Sequence, residues 1–399
     1  MRIGIFTDQF YPYISGVVTS IKMLYEGLTA LGHEVYIFSS LDDEKVFTCE
    51  ELKHFNFINL PGKPWPFKGL RDYRRTPHPK RYLKQIATYK LDIIHIHTEY
   101  NAATLAKMAS KKLHIPMVYT LHTLYEDYIK YLSPFFDKHF HTLTFKILAH
   151  IFMGSASKAS VIKIVPTKKV LKLASKYYLK GDIRVIPTGI ELNHFYEQNF
   201  STEEKNTLKK EIGIPLNQFV FGYIGRTSPE KDIKTILHAF SKLEYKDNAV
   251  LLIVGGGPQF DELVEYAKVL RIKNKVYFTG FIDNELVPMY YHICDIFVNA
   301  SKSETQGLTY IESLASSLPL LVQRDECIED VIEDYYNGIY FDGEEDLILK
   351  MEEIQKAPST LSNIKANTQK SCEKYSKEHY AASVEAIYQT AIDRYKQKR

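Results

Sequence analysis

The sequence predicts an α/β protein built from two doubly wound parallel sheets, and three observations carry that prediction. Short, almost wholly apolar runs alternate with helical ones, the pattern of βαβ units whose strands are buried on both faces. The alternation pauses over a polar stretch at about 191–218 and then restarts. At 399 residues the chain is long for a single core, so two domains are the natural expectation.

In the first half, runs of Ile, Val, Phe and Tyr mark strands at 3–6, 35–39, 93–97, 118–122, 162–166 and 184–186. Helical periodicity separates several of them, as at 18–31 and 102–112. After the polar stretch, strands follow at 219–224, 250–254, 276–279, 296–300 and 320–323, with helices such as 233–243 and 260–270 between them. A last helix over about 377–396 lies beyond the final α/β unit. The expected division is an N-terminal domain over 1–190, a linker over 191–217, a C-terminal domain over 218–376 and a C-terminal helix over 377–399 that returns to the first domain. Two doubly wound domains of this kind are expected to face a central cleft, where ligands bind in such architectures.

Composition is ordinary for a globular protein, 45% hydrophobic and 25% charged. The opening Met1-Arg2-Ile3-Gly4-Ile5-Phe6 reads as a strand rather than a signal peptide. No run approaches the roughly 20 apolar residues of a membrane span. Cys49, Cys294, Cys327 and Cys372 are scattered without CxxC spacing, so neither a zinc site nor a disulfide framework is expected. A reduced, cytoplasmic protein is the reading that follows. The net charge of +3 hides an asymmetry. Residues 1–190 carry 27 Lys and Arg against 15 Asp and Glu, whereas the remainder carries 24 against 33. Halves of opposite sign suggest different partners, the basic one suiting an anionic membrane or nucleic acid.

The candidate chemistry centres on Ser303-Glu304-Thr305-Gln306-Gly307-Leu308-Thr309-Tyr310-Ile311-Glu312. Glu304 follows a strand end, Gly307 opens a helix, and Glu312 lies one to two turns into it. Two carboxylates flanking the free N–H groups of a helix start suit a ligand with hydroxyls at both ends and phosphate in the middle. A nucleotide-sugar has that chemistry. Gly225-Arg226-Thr227-Ser228-Pro229-Glu230-Lys231 follows the second domain's first strand, and its two cations suit a diphosphate. Taken alone, that loop reads equally as a solvated surface turn. Gly255-Gly256-Gly257 fits either a tight turn or ligand contact, and Gly16, between the first strand and first helix, could offer backbone N–H groups to phosphate. His95, His97 and Glu99 alternate along one strand end, where structural histidines are a simpler reading than a metal triad. No Asp-x-Asp pair is present, so no metal-held diphosphate is expected. His122 ends a strand at the ligand-facing edge, placed to touch a sugar or orient an acceptor, or else to cap or pack.

Together these residues resemble the family-four retaining nucleotide-sugar glycosyltransferases over nearly the full length. Glu304-x7-Glu312 and Gly225-Arg226 with Glu230-Lys231 are the diagnostic pair. Within that family the chain is most similar to the bacterial 1,2-diacylglycerol 3-glucosyltransferases, through the stretches 14–20, 119–128 and 303–310. The resemblance implies the GT-B fold, two Rossmann-like domains, and it implies residue roles. Arg226 and Lys231 would hold the donor diphosphate and stabilise its charge as the glycosidic bond breaks. Glu304 would contact sugar hydroxyls and Glu312 the ribose. The amides around Gly307, Leu308 and Thr309 would meet the distal phosphate, with Gly16 doing so from the first domain, and His122 would line the sugar pocket. UDP-glucose would be the donor, no cofactor would be tightly bound, and no divalent metal would be needed at the chemical step.

A lipid acceptor is suggested by the basic half. Trp65, Lys68, Arg71, Arg74 and Arg75 lie in one basic, aromatic segment. From Lys138 to Gly181 there is no acidic residue but nine lysines, including Lys138 and Lys146, with Phe145 among the aromatics. Basic residues beside aromatics suit shallow insertion into an anionic leaflet, each lysine contributing about 1 kcal/mol. A solvated basic face over a buried stripe explains either segment equally; the acceptor-side position implied by the resemblance favours membrane binding. The expectation is a peripheral enzyme on the cytoplasmic face, with nucleotide-sugar, diacylglycerol and an anionic surface as partners. A glycolipid or soluble saccharide acceptor is the alternative. Nucleic acid is not an expected partner, since no binding motif is present and the paired glutamates would go unexplained.

Overall fold

Every strand of the two large sheets runs parallel to its neighbours, as near-continuous apolar runs require. The computed structural model describes residues 1–13, 15–64, 74–76, 79–122, 151, 153–177, 179–244, 246–302 and 304–397. Two compact units result, one of Met1–Ile190 with Lys377–Arg399 and one of Glu191–Ser376.

The first unit holds β1 (Arg2–Phe6), β2 (Glu34–Ser39) and β3 (Phe57–Asn59), the short antiparallel ribbon β4 (Lys63–Pro64) and β5 (Arg74–Arg75), then β6 (Ile93–Ile96), β7 (Met117–Thr120), β8 (Ile162–Val165) and β9 (Ile183–Val185). The large sheet has the order β3-β2-β1-β6-β7-β8-β9. The period-two alternation of strands sorts its side chains by face. Ile3 and Ile5 join Ile21, Leu24 and Leu28 of the helix Gly16–Ala30. Phe6, Ile94 and Ile96 join Leu105, Ala106 and Ala109 of the helix Asn101–Leu113 on the other face.

The last helix, Lys377–Gln397, buries Tyr380, Val384 and Tyr388 in the core beside Ile3 and Ile5. Its close seating depends on Gly27, where an added Cβ would stand 2.5 Å from the Ala381 Cβ. Polar contacts fix its register. Ser20 Oγ lies 2.9 Å from the Tyr380 hydroxyl, and His33 Nε2 lies 2.8 Å from Glu385 Oε1.

The second unit holds β10 (Phe219–Ile224), β11 (Ala249–Val254), β12 (Val276–Gly280), β13 (Ile296–Asn299), β14 (Leu320–Gln323) and β15 (Gly338–Phe341), in the order β12-β11-β10-β13-β14-β15. The stretch read as a linker contains a helix, Thr202–Ile212, grouped with this unit. None of its residues is buried, so it carries no apolar stripe to betray it. What makes it a helix is a capping box between Ser201 and Glu204, and Gly213 at φ +88° ends it.

In each sheet the strand order reverses beside its first strand: β1 lies between β2 and β6, and β10 between β11 and β13. Crevices outside the carboxyl ends of strands at such reversals are where open α/β sheets bind ligands. The chain turns there after β1 toward Gly16, after β6 toward His97, after β10 into Gly225–Lys231 and after β13 toward Glu304.

Candidate functional site

In the second unit, β10 is followed by Gly225, whose φ of +151° favours glycine. The triple glycine after β11 packs against this loop. An added Cβ at Gly255 would lie 2.1 Å from the Gly225 carbonyl oxygen, and one at Gly257 2.4 Å from the Thr227 oxygen. Thr227 N–H donates to the Gly256 oxygen at 3.0 Å and Gln259 N–H to the Thr227 oxygen at 3.1 Å. The glycines therefore serve close approach of two backbones, which fixes the loop that carries the cations.

Arg226 projects from that loop with its side chain 58% exposed and meets Glu230 Oε1 at 2.5 Å. Glu230 also accepts from Ser228 Oγ at 2.5 Å. Burial alone would raise the Glu230 carboxyl, but the Ser228, backbone and Arg226 interactions hold it below the usual range. Glu230 entered the sequence reading only as part of the diagnostic Glu230-Lys231 stretch, with no role of its own, although its i,i+4 spacing to Arg226 is a readable signal. Lys231 ends the short turn Pro229–Lys231, and its ammonium pairs with the Glu304 carboxylate across the β10/β13 switch point. Glu304 is 9% exposed. The structure thus brings together the two groups predicted to serve diphosphate and sugar.

Gly307 takes φ +72° as N-cap of the helix Leu308–Ala315, and an added Cβ would strike the Tyr310 ring at 2.3 Å. Leu308 and Thr309 open the first turn, ahead of the point where helix N–H groups find carbonyls four residues back; the next N–H, of Tyr310, donates to the Gly307 oxygen at 3.1 Å. Glu312 lies farther along the same helix, and burial raises its carboxyl pKa. Its Oε2 accepts a 2.7 Å hydrogen bond from the Tyr291 hydroxyl, which opposes that rise. Tyr291 is fully buried. It lies 21 residues from Glu312, so no local pattern pointed to it.

In the first unit, Ser15 Oγ accepts from Val18 N at 3.4 Å and so caps the helix that Gly16 begins. An added Cβ at Gly16 would meet nothing within 4 Å, so the fold leaves space there. Asp8 holds the start of the helix Asn101–Leu113. Its carboxylate accepts from Thr98 Oγ1 at 2.7 Å and Ala102 N at 2.9 Å, while burial pushes its pKa up to about 6.

The histidine-bearing strand end does not assemble a triad. His95 Nδ1 lies 2.7 Å from the Tyr388 hydroxyl and Nε2 2.7 Å from Thr120 Oγ1. Glu99 instead accepts the Tyr119 hydroxyl at 2.6 Å. His97 Nδ1 lies 2.8 Å from His122 Nε2. Burial lowers His95 to about 3 and His122 to about 4, and takes His97 well below its ordinary value. Among the described residues no group of three His, Cys, Asp or Glu is placed to hold a metal.

Of the basic segments, Arg74 has its guanidinium paired with Asp42 and its side chain only 18% exposed. Arg75 pairs in register with Lys63 on the β4–β5 ribbon. Trp65, Lys68, Arg71, Lys138, Phe145 and Lys146 lie outside the described residues. Among the described residues no helix is long and apolar enough to cross a membrane.

Residues 14–194 match the family described as Glycosyltransferase Family 4, and residues 204–371 match Glycosyl transferases group 1. An alpha-monoglucosyldiacylglycerol synthase of Acholeplasma laidlawii is 38% identical over 403 residues, covering 100% of this chain and 99% of its own length. The chain belongs to the family-four glycosyltransferases. A synthase of the same name from Streptococcus pneumoniae is 36% identical over 350 residues, covering 87% of this chain and 76% of its own. Two solved structures share the glycosyltransferase's fold. Anabaena HepE in complex with UDP-glucose superposes with a TM-score of 0.75 at 17% identity, covering 98% of this chain and all of that one. Sucrose-phosphate synthase of Thermosynechococcus elongatus gives 0.75 at 18% identity, covering 98% of each chain. The enzyme therefore has the GT-B fold, with Gly225 to Glu312 inside the group 1 match and Gly16 to His122 inside the family-four match.

Proposed function

We propose that this glycosyltransferase transfers glucose from UDP-glucose to the 3-hydroxyl of 1,2-diacylglycerol at the cytoplasmic membrane surface, with retention of configuration. The observation that carries this reading is the full-length 38% identity to the Acholeplasma alpha-monoglucosyldiacylglycerol synthase. The donor side is supported by Arg226 and Lys231 beside the β10/β13 switch point, a cationic pair suited to a leaving diphosphate. First-turn amides at Leu308 and Thr309 suit the distal phosphate, and the helix start at Gly16 offers backbone N–H groups of the same kind to phosphate. Glu304 contacts glucose hydroxyls, Glu312 accepts from the ribose, and His122 lines the sugar pocket. The bond from glucose C1 to the phosphate oxygen breaks as the acceptor oxygen attacks from the same face. The departing phosphate takes the acceptor's proton, and the two cations stabilise the charge it gains without a required divalent metal. The basic first half attaches the enzyme reversibly to an anionic leaflet.

The test is transfer from a panel of nucleotide-sugars into vesicles of diacylglycerol with and without anionic lipid. UDP-glucose should be the preferred donor, diacylglycerol the acceptor, and anionic vesicles should bind the enzyme and raise turnover. Equal sedimentation with neutral and anionic vesicles at low salt would remove the membrane claim. Efficient transfer to a soluble saccharide or a glycolipid, with diacylglycerol ignored, would replace the acceptor.

A further inference from the structure

Three histidines cluster at the carboxyl end of β6 and β7, and the proposed reaction uses only His122. His95 has partners at both ring nitrogens. His97 does not. It is 1% exposed, its Nδ1 faces His122 Nε2 at 2.8 Å, and its own Nε2 is buried with no hydrogen-bond partner among the described residues. The His97 and His122 rings lie nearly parallel, 20° apart, with centroids at 5.1 Å. The His95 ring, 4.1 Å from His97 between centroids, backs the pair.

Burial keeps both rings neutral near pH 7, so one proton occupies the 2.8 Å contact. Two arrangements are available. If His122 Nε2–H donates, the proton of His97 sits on its buried Nε2 as a donor without an acceptor. If His97 Nδ1–H donates, His97 Nε2 is a bare lone pair and the proton of His122 sits on Nδ1. Orphaned buried N–H groups are rarer in proteins than under-satisfied acceptors, so the second arrangement wins.

We propose that His97 is a positioning residue that holds His122 in its Nδ1–H tautomer, so that His122 presents an N–H donor to a hydroxyl or phosphate oxygen of the nucleotide-sugar. This rests on the reading of His122 as lining the sugar pocket. A neutral imidazole otherwise offers either a donor or a lone pair at Nδ1, and a sugar oxygen sees the two differently.

The experiment uses the full chain with 15N-labelled histidine, the His122 signals being assigned by their loss in His122→Gln. The wild type should show His122 protonated at Nδ1 and bare at Nε2. In His97→Ala the vacated space can admit a water that accepts from His122 Nε2, so the Nε2–H tautomer favoured by an unconstrained imidazole should become the major one, and kcat should fall about 5–10-fold with the donor KM within about 2-fold, the effect of one misplaced hydrogen bond. His97→Asn, whose amide can donate from the place of Nδ1, should restore the Nδ1–H tautomer and most of kcat. Circular dichroism on each variant reports folding. An Nε2–H tautomer in the wild type overturns the proposal, as does an Nδ1–H tautomer that persists in His97→Ala. An unchanged kcat in His97→Ala also overturns it, and His122→Ala then locates the fault. If His122→Ala turns over normally, the sugar-pocket reading has failed; if it is impaired, the assignment of His97 has failed.

Discussion

Tyr291→Phe should weaken donor binding while leaving the second unit folded. The change removes one hydroxyl from a fully buried ring. The ring itself stays seated against Phe195 at 5.9 Å and Phe297 at 6.0 Å between centroids. What is lost is the 2.7 Å hydrogen bond to Glu312 Oε2 and a longer one, at 3.4 Å, to the Thr309 oxygen. A hydrogen bond to a charged group contributes about 1.5–3 kcal/mol, and about 1.4 kcal/mol is tenfold in affinity. Most of that energy belongs to folding, and only the part that holds Glu312 in place for the ribose reaches binding, so if Glu312 accepts from the ribose, UDP should bind roughly tenfold more weakly. The deficit should also grow as pH falls. Burial already raises the Glu312 carboxyl, and the Tyr291 bond opposes that rise, so its loss moves the group further toward the protonated form, a poorer acceptor. Titration calorimetry with UDP at pH 6, 7 and 8, with a thermal melt of each protein, measures both effects. Affinity within about twofold of wild type at every pH would refute the role given to Glu312 and its tyrosine.

Other perturbations probe separate parts of the molecule. Gly16→Ala should leave the melting temperature unchanged, because the added Cβ meets nothing within 4 Å, yet raise the donor KM; unchanged kinetics would take Gly16 out of the donor site. Gly27→Leu should drive the last helix from the first unit's core, since even a Cβ would stand 2.5 Å from that of Ala381. The cost should be about 1–3 kcal/mol or more, read as lost protection in amide exchange over 377–397. The first unit should also lose stability in acid. His95 and His122 titrate near 3 and 4 when folded, His97 well below its ordinary value, and all three near 6.5 when unfolded. Their lowered values stabilise the fold above pH 6.5, and that contribution disappears as pH falls toward 4, at up to about 1.4 kcal/mol per pH unit per histidine. Asp8, raised to about 6, has the opposite slope and partly offsets it. Urea melts at pH 7, 6 and 5 in wild type and His95→Asn would show whether the slope depends on these rings.

The strands at the two switch points were legible because each is a short, branched apolar run that nothing but a doubly buried strand explains. β1, β6, β10 and β11 are of this kind. The helix Thr202–Ile212 was not, because a helix with no buried residue has no hydrophobic period. Its capping box was the available signal. β15 was also passed over. Within the site, Glu304, Gly307 and Glu312 could be read from spacing because one loop and one helix carry all three. Their partners could not. Tyr291 reaches Glu312 from 21 residues away, and His97 meets His122 from 25 away, distances that only the parallel sheets close. The glycine triplet, which fitted either a turn or a ligand contact, turned out to permit contact with the Gly225–Thr227 backbone.

The most direct test of the account is the structure of the product formed from UDP-glucose and diacylglycerol vesicles. The account predicts an α-glucosyl linkage at the 3-hydroxyl, made by the wild type and nearly abolished in Lys231→Ala and Glu304→Ala. A β-linked product, or near-normal turnover in either variant, would contradict it.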